Sequence, residues 1–275
     1  MHRSGTSAFA RGLKALGVYL GDDFLETKPD NPTGYWEDRT IVALNERVLQ
    51  VLGLQWEDIT LIDEDFLNRP GVGVVRDLAI EHLQQNFVAH PIWGFKDPRT
   101  IRLLPFWRSV FETLGIEDNY LLAVRNPLSV AGSLRQRQYM DASTAHKLWL
   151  VYTVPNLYLI KDRPFVVSDY DYLVDDTRSE LSRISSALKI DPDATEPAEV
   201  EYFVNEFLTP DLRHSEFDEF DFDTIPGISP LTREAYRWLR RLATSEDGSH
   251  DPEFWPAWAR IDLAVRALVG RSSAE

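Results

Sequence analysis

The chain has 275 residues, 44% of them hydrophobic and 12% aromatic, ample for a sizeable core and unlike a disordered composition. A net charge of −15 argues against general nucleic-acid or anionic-membrane binding, which relies on a basic surface, yet leaves room for a small basic pocket. The absence of cysteine excludes disulfides, thiolate metal sites and cysteine nucleophiles.

The chain opens on Met1-His2-Arg3-Ser4-Gly5-Thr6-Ser7, a glycine-containing turn that runs into a helix marked by Phe9, Leu13 and Leu16, with Gly17 as a stop. Such a turn presents backbone N–H groups and the positive end of a helix dipole to an anion. It is not a Walker A sequence, because Gly5 is followed by Thr6 and the nearby cation, Arg3, precedes the glycine. A phosphate loop normally leaves a central buried strand of about 5–6 residues. None is encoded ahead of this one, so the expectation is a missing first strand and a start placed too late.

Residues 18–36 read as loop, punctuated by Pro29, Asn31-Pro32 and Gly34. A helix is expected from Trp36 to Val51, an acidic connection over 57–69 and a second helix over 73–88. Ile92-Trp93-Gly94-Phe95 is a short strand candidate; Asp97 and Pro98 then offer a cap and a first helical residue. Tyr120-Leu121-Leu122-Ala123-Val124 is the clearest buried strand and ends in Arg125-Asn126-Pro127, another cap-plus-proline start. Helices are expected over 127–139 and 142–160, a strand at Phe165-Val166-Val167 and a helix over 176–189. Ser229-Pro230 opens a helix to Ala243, and Asp251-Pro252 another to Gly270. This alternation predicts an α/β fold, a central parallel sheet flanked by helices. With neither repeat nor linker, residues 1–275 read as one domain, 230–270 being a C-terminal helical pair. No stretch reaches the roughly 18–20 apolar residues of a membrane span. With no signal peptide ahead of the loop, the expected location is cytoplasmic.

In open parallel sheets, ligands sit beyond the carboxyl ends of the strands. Three candidate ends carry cations: Arg3, Lys96 with Arg99, and Arg125. Each alone reads as a surface charge, but together they describe a polyanion pocket in an acidic protein. Ser129, Ser133 and Arg137 follow at i, i+4 and i+8 along one helix stripe, where Arg125, Ser133 and Arg137 can clamp a second phosphate.

The loop Arg3-Ser4-Gly5-Thr6-Ser7 resembles the 5′-phosphosulfate loop of sulfotransferases that use 3′-phosphoadenosine-5′-phosphosulfate (PAPS). Arg125 followed by Ser133 resembles their 3′-phosphate segment, and Arg137 falls where the tyrosylprotein branch carries a contacting arginine. Lys96-Asp97-Pro98 is similar to that branch's Lys-Asp-Pro, whose lysine assists transfer. Asn31-Pro32-Thr33-Gly34-Tyr35-Trp36-Glu37-Asp38 resembles a bacterial segment in the region that supplies a carboxylate base in several branches. The strand with Ser168-Asp169-Tyr170-Asp171-Tyr172-Leu173, and Leu212-Arg213-His214, are also similar to bacterial members.

The resemblance covers residues 1–215 and implies a three-layer P-loop-like fold and transfer of a sulfuryl group from PAPS to a hydroxyl acceptor, a carbohydrate or small metabolite, without a metal. It implies that Arg3, Ser4, Gly5, Thr6 and Ser7 bind the donor's 5′ end, and Arg125, Ser133 and Arg137 its 3′-phosphate. Arg3 and Lys96 would neutralise charge on the transferring group, and Glu37 would take the acceptor proton. Asp38, His2 and His214 are rival bases; His82, His90, His146 and His250 have no partner pattern. Trp36 is placed to stack on a sugar. The other readings are a P-loop nucleotide or small-molecule kinase, and a non-catalytic nucleotide-binding module. Neither the acceptor nor the oligomeric state is encoded in these motifs.

Overall fold

A computed structural model describes residues 1–27, 33–208, 217, 222, 228–245 and 251–272. Two short apolar runs form its sheet. β1 (Tyr120–Val124) and β2 (Phe165–Asp169) pair in parallel, Tyr120 opposite Phe165 and Val124 opposite Asp169. The helices are α1 (Thr6–Ala15), α2 (Arg39–Val51), α3 (Pro70–Asn86), α4 (Leu104–Leu114), α5 (Pro127–Gln138) and α6 (Ala142–Leu157). They continue with α7 (Tyr170–Asp175), α8 (Thr177–Leu188), α9 (Pro197–Tyr202), α10 (Pro230–Ala243) and α11 (Phe254–Ser272). None of the described helices is long and apolar enough to cross a membrane.

The result is a mixed α/β fold dominated by helices, with a smaller sheet than the alternating pattern predicts. Among the described residues the sheet has two strands. The candidate strand at 92–95 makes a single parallel bridge, Trp93 to Tyr19, closed by Tyr19 N–H to Ile92 O at 3.1 Å and Gly94 N–H to Tyr19 O at 2.9 Å. Its rings are committed elsewhere. Trp93 packs on Phe87, and Phe95 on Trp107, within a core joining α2, α3 and α4.

The helix starts are set by their caps. Asn126 accepts a hydrogen bond from Leu128 N–H at 2.9 Å and Pro127 begins α5; Ser229 accepts from Leu231 N–H ahead of Pro230. Asp97 caps as expected, accepting from Arg99 N–H, but the helix it opens is a 3₁₀ helix, Pro98–Leu103. Pro105 lacks the N–H that a continuous α-helix needs, so the α-helix proper restarts at Leu104. Likewise α2 starts at Arg39 and not at Trp36: Trp36 has a φ of 54°, outside helical space, and Asp38 is the cap. The acidic connection holds a 3₁₀ turn, Glu64–Asn68.

α6 is buried along most of its length, with Leu148, Trp149, Leu150, Tyr152 and Leu157 in the largest core, beside β1, β2, α10 and α11. Trp258 of α11 donates to Val154 O at 3.0 Å. A second core joins α1 to α8 through Phe9, Leu181, Ile184 and Phe203. Both strands' carboxyl ends therefore sit between these cores, where α1 enters.

Asp169, the last residue of β2, is fully buried; it accepts from Asp171 N–H at 2.9 Å and from the Tyr236 hydroxyl at 3.0 Å. Burial pushes its carboxyl up to about 6, with the Asp171 charge adding. The folded state thus holds this proton more tightly than the unfolded chain, whose value is 3.8. The associated stability is present below the unfolded value and is lost as pH rises through the folded one. Raising the pH from about 4 to about 7 should therefore destabilise the protein relative to Asp169→Asn by roughly 1–3 kcal/mol. Urea denaturation of both proteins across this range measures it, and a pH-independent difference would show that Asp169 does not titrate there.

Candidate functional site

The register of the two strands fixes the site. Because Val124 lies opposite Asp169, the next residues, Arg125 and Tyr170, emerge side by side at the carboxyl edge. The Arg125 guanidinium stands 4.7 Å from the centre of the Tyr170 ring, and both side chains are buried. Tyr170 also packs against the opening loop. A Cβ on Gly5 would lie 2.1 Å from Tyr170 Cδ2, and Gly5 has a φ of 73° as the cap of α1. The loop needs glycine here for both conformation and space. Arg3 is also left-handed, at a φ of 65°, so the loop curls before entering α1.

That curl brings distant segments together. Arg3 Nε donates to Ser133 Oγ on α5 at 2.9 Å, across 130 residues of sequence. Lys96 Nζ donates to Ser7 Oγ at 3.4 Å, to Tyr35 O at 3.0 Å and to Glu37 Oε1 at 2.5 Å. Ser7 Oγ donates to Tyr35 O at 3.2 Å, tying α1 to the segment that carries Glu37. The Lys96 and Glu37 side chains are 14% and 8% exposed, so the pair is well shielded from water. Burial pushes the Glu37 carboxyl above its ordinary range and the Asp97 charge adds to this, while Lys96 opposes it. Ser4 is buried beneath the loop, and Thr6 starts α1. Arg137 lies one turn beyond Ser133 on α5, half-buried.

Known protein families, curated proteins and solved structures give no match to this chain.

Several of the residues grouped by sequence have other employment. Asp38 accepts from Ile41 N–H at 2.9 Å as the cap of α2 and faces His82 Nε2 at 3.0 Å, so it points away from Lys96. Glu37 and Asp38 diverge because the chain is extended there, not because it is helical. Arg99 is taken up by Asp97 at 2.9 Å and Glu46 at 3.0 Å. Asp97 itself is held by Asn45 Nδ2 at 2.9 Å, and Asn45 in turn accepts from Trp107 Nε1 at 2.8 Å. The Trp36 ring carries Lys14 and Arg11 over it at 5.2 and 5.6 Å and meets Phe24 edge-on. His2 lies against Trp56, ring centres 4.3 Å apart. Burial, then the Arg99 charge and other nearby cations, hold His2 well below its usual value. Asn31, Pro32 and the Leu212-Arg213-His214 motif lie outside the described residues. Among the described residues, no cluster of His, Asp and Glu is gathered that would hold a metal ion.

Tyr170 lies in the segment after the second strand that resembles bacterial members, but sequence reading gave it no role in the site. A further sequence signal is its position, directly after the second buried strand, matching that of Arg125 after the first. Gly5→Ala should lower unfolding stability by about 1–3 kcal/mol, through the positive φ and the Tyr170 contact together. Chemical denaturation reads this directly; a change within about 0.5 kcal/mol would mean that loop and ring are not packed as described.

Proposed function

We propose that this chain is a PAPS-dependent sulfotransferase with a hydroxyl acceptor, and that its two-stranded core belongs to a three-layer P-loop-like architecture. The observation that carries the reading is the Arg3–Ser133 hydrogen bond at 2.9 Å, which joins the 5′-end loop to the 3′-phosphate segment. A ligand with anionic groups at both ends needs such adjacency. The residues also suit its charge: a curled loop opens a helix N-terminus, a half-buried lysine stands beside Ser7, and Arg125 is braced by Tyr170.

On this reading PAPS supplies the sulfuryl group, and the protein supplies position and charge. Backbone N–H groups of Gly5–Ser7 and the Arg3 guanidinium hold the 5′ end. Arg125 and Ser133 hold the 3′-phosphate, with Arg137 flanking it. Lys96, poised between Ser7 and Glu37, stabilises negative charge as the bridging S–O bond breaks. Glu37 accepts the acceptor's proton as the new O–S bond forms, and its raised pKa strengthens it as a base. Asp38 is the weaker candidate because capping and His82 already engage it. His2 is enclosed against the Trp56 and Tyr152 rings, which makes it a weaker candidate as well.

Single-turnover transfer with a panel of sugar and phenol acceptors tests the assignment. Glu37→Gln and Lys96→Ala should each slow transfer by roughly 10²-fold or more while changing donor affinity far less. The base works deprotonated, so the rate should rise with pH through a limb above the ordinary carboxylate range, and Glu37→Gln should abolish that limb. Near-normal transfer in Glu37→Gln with a dead Asp38→Asn would move the base by one residue. Arg125→Ala and Ser133→Ala should weaken adenosine 3′,5′-bisphosphate more than adenosine 5′-phosphosulfate, with the arginine costing about 1.5–3 kcal/mol. Equal losses for the two ligands would mean that the pair does not read the 3′-phosphate.

A further inference from the structure

Asp97 follows directly on Lys96, and the two side chains part. Lys96 goes to Ser7, Tyr35 and Glu37, whereas Asp97 is buried against α2 and caps the 3₁₀ helix that begins at Pro98. Oδ1 of Asp97 accepts from Arg99 N–H and from Arg99 Nη1, each at 2.9 Å, and Oδ2 accepts from Asn45 Nδ2 at 2.9 Å. Asn45 is fully enclosed in the second turn of α2. The indole N–H of Trp107 can only donate, so its 2.8 Å bond assigns the Asn45 amide oxygen to that side. The NH₂ group is thereby turned to Asp97, and to Thr100 Oγ1 at 3.2 Å. Glu46, the next residue of α2, holds the other end of Arg99 at 3.0 Å. Asp97 thus meets donors at both oxygens. A carboxylate satisfies that set, whereas an amide in its place would set donor against donor whichever way it turned.

The charge fixed in this way acts on Glu37. Burial raises the proton affinity of Glu37 most; Lys96 opposes the rise, Asp97 adds to it, and Arg99 opposes it more weakly. His2 and the Met1 amino group are influenced by the same lysine. Asp97 is the negative charge among these neighbours. Arg99, which would offset it, is itself shared with Glu46.

We propose that Asp97 is a positioning residue for the Lys96–Glu37 pair: Asn45 locks its carboxylate, which fixes the backbone that presents Lys96 and keeps a permanent negative charge near Glu37. The pH at which the site works is then set from α2, through two side chains that need not touch either substrate. This role deepens the sulfuryl-transfer reading, and only its consequence for transfer rests on that reading.

Carbon-13 NMR titration of the intact protein, with glutamate labelled at the side-chain carboxyl and Glu37 assigned through Glu37→Gln, tests it without any donor. In Asp97→Asn the Glu37 midpoint should fall by roughly 0.5–1 pH unit, because a like charge has been removed. Combining Asn45→Asp with Asp97→Asn exchanges donor and acceptor across the same hydrogen bond. Urea stability should then recover toward the parent's, yet the Glu37 midpoint should stay low, since the charge has moved onto α2 and away from Lys96. In single-turnover transfer the pH limb should move by the same amount as the NMR midpoint. An unchanged midpoint in Asp97→Asn, or one that returns together with stability in the double variant, would overturn the proposal. Should Asp97→Asn not fold, the double variant decides alone, a lowered midpoint supporting the role and a parental one contradicting it. A parent protein that turns over no PAPS would contradict the sulfuryl-transfer reading while leaving the NMR result to stand.

Discussion

Tyr170 is the side chain on which the arrangement of the site depends. Its ring fills the space left by the missing side chain of Gly5 and carries the Arg125 guanidinium on its face. Parallel pairing of β1 and β2 delivers Tyr170 and Arg125 to the same level, and the left-handed turn at Gly5 lets the opening loop close over the ring. Once the loop is seated, Arg3 reaches Ser133 and Ser7 comes within reach of Lys96. Backbone pairing, a glycine conformation and one aromatic contact thus set the separation between two groups of cations.

Charge placement explains how an acidic protein gathers cations near the ends of its strands. Arg99 is balanced by Asp97 and Glu46, and Arg11 by Glu199 at 2.6 Å, inside a cage of Trp36, Tyr202 and Phe207. Lys96 shares its charge with Glu37 in a setting shielded from water, where their attraction is stronger than at the surface. This pairing holds a carboxylate and an ammonium group next to each other. The raised affinity of Glu37 for protons comes from the same burial.

Much of the helical frame was legible because its punctuation is chemical and local. Asn126-Pro127 and Ser229-Pro230 mark α5 and α10 through hydrogen bonds that each cap makes with the backbone two residues on. The strands at 120–124 and 165–169 were legible as apolar runs between turn signals. Ile92-Trp93-Gly94-Phe95 shows the limit of that reading, since an apolar run does not reveal whether a partner strand is available; here only Tyr19 answers it. Motif reading found Arg3, Lys96, Glu37, Arg125 and Ser133, which the fold draws into adjoining contacts. It could not separate Glu37 from Asp38, because the distinction rests on the start of α2 and on His82, far along the chain. The role of Tyr170, though it stands in a quoted motif, was hidden for a similar reason: it lies in a contact with Gly5 that no local pattern encodes.

The loop and the start of α5 are proposed to bind, together, one nucleotide with phosphates at both its 3′ and 5′ positions. Calorimetric titration with adenosine 3′,5′-bisphosphate, beside ATP with magnesium, tests this most directly. The bisphosphate should bind saturably and one-to-one, and ATP should bind more weakly by about 10-fold or more for want of the 3′-phosphate contacts. Equal or tighter binding of ATP with magnesium, or no binding of the bisphosphate, would contradict it.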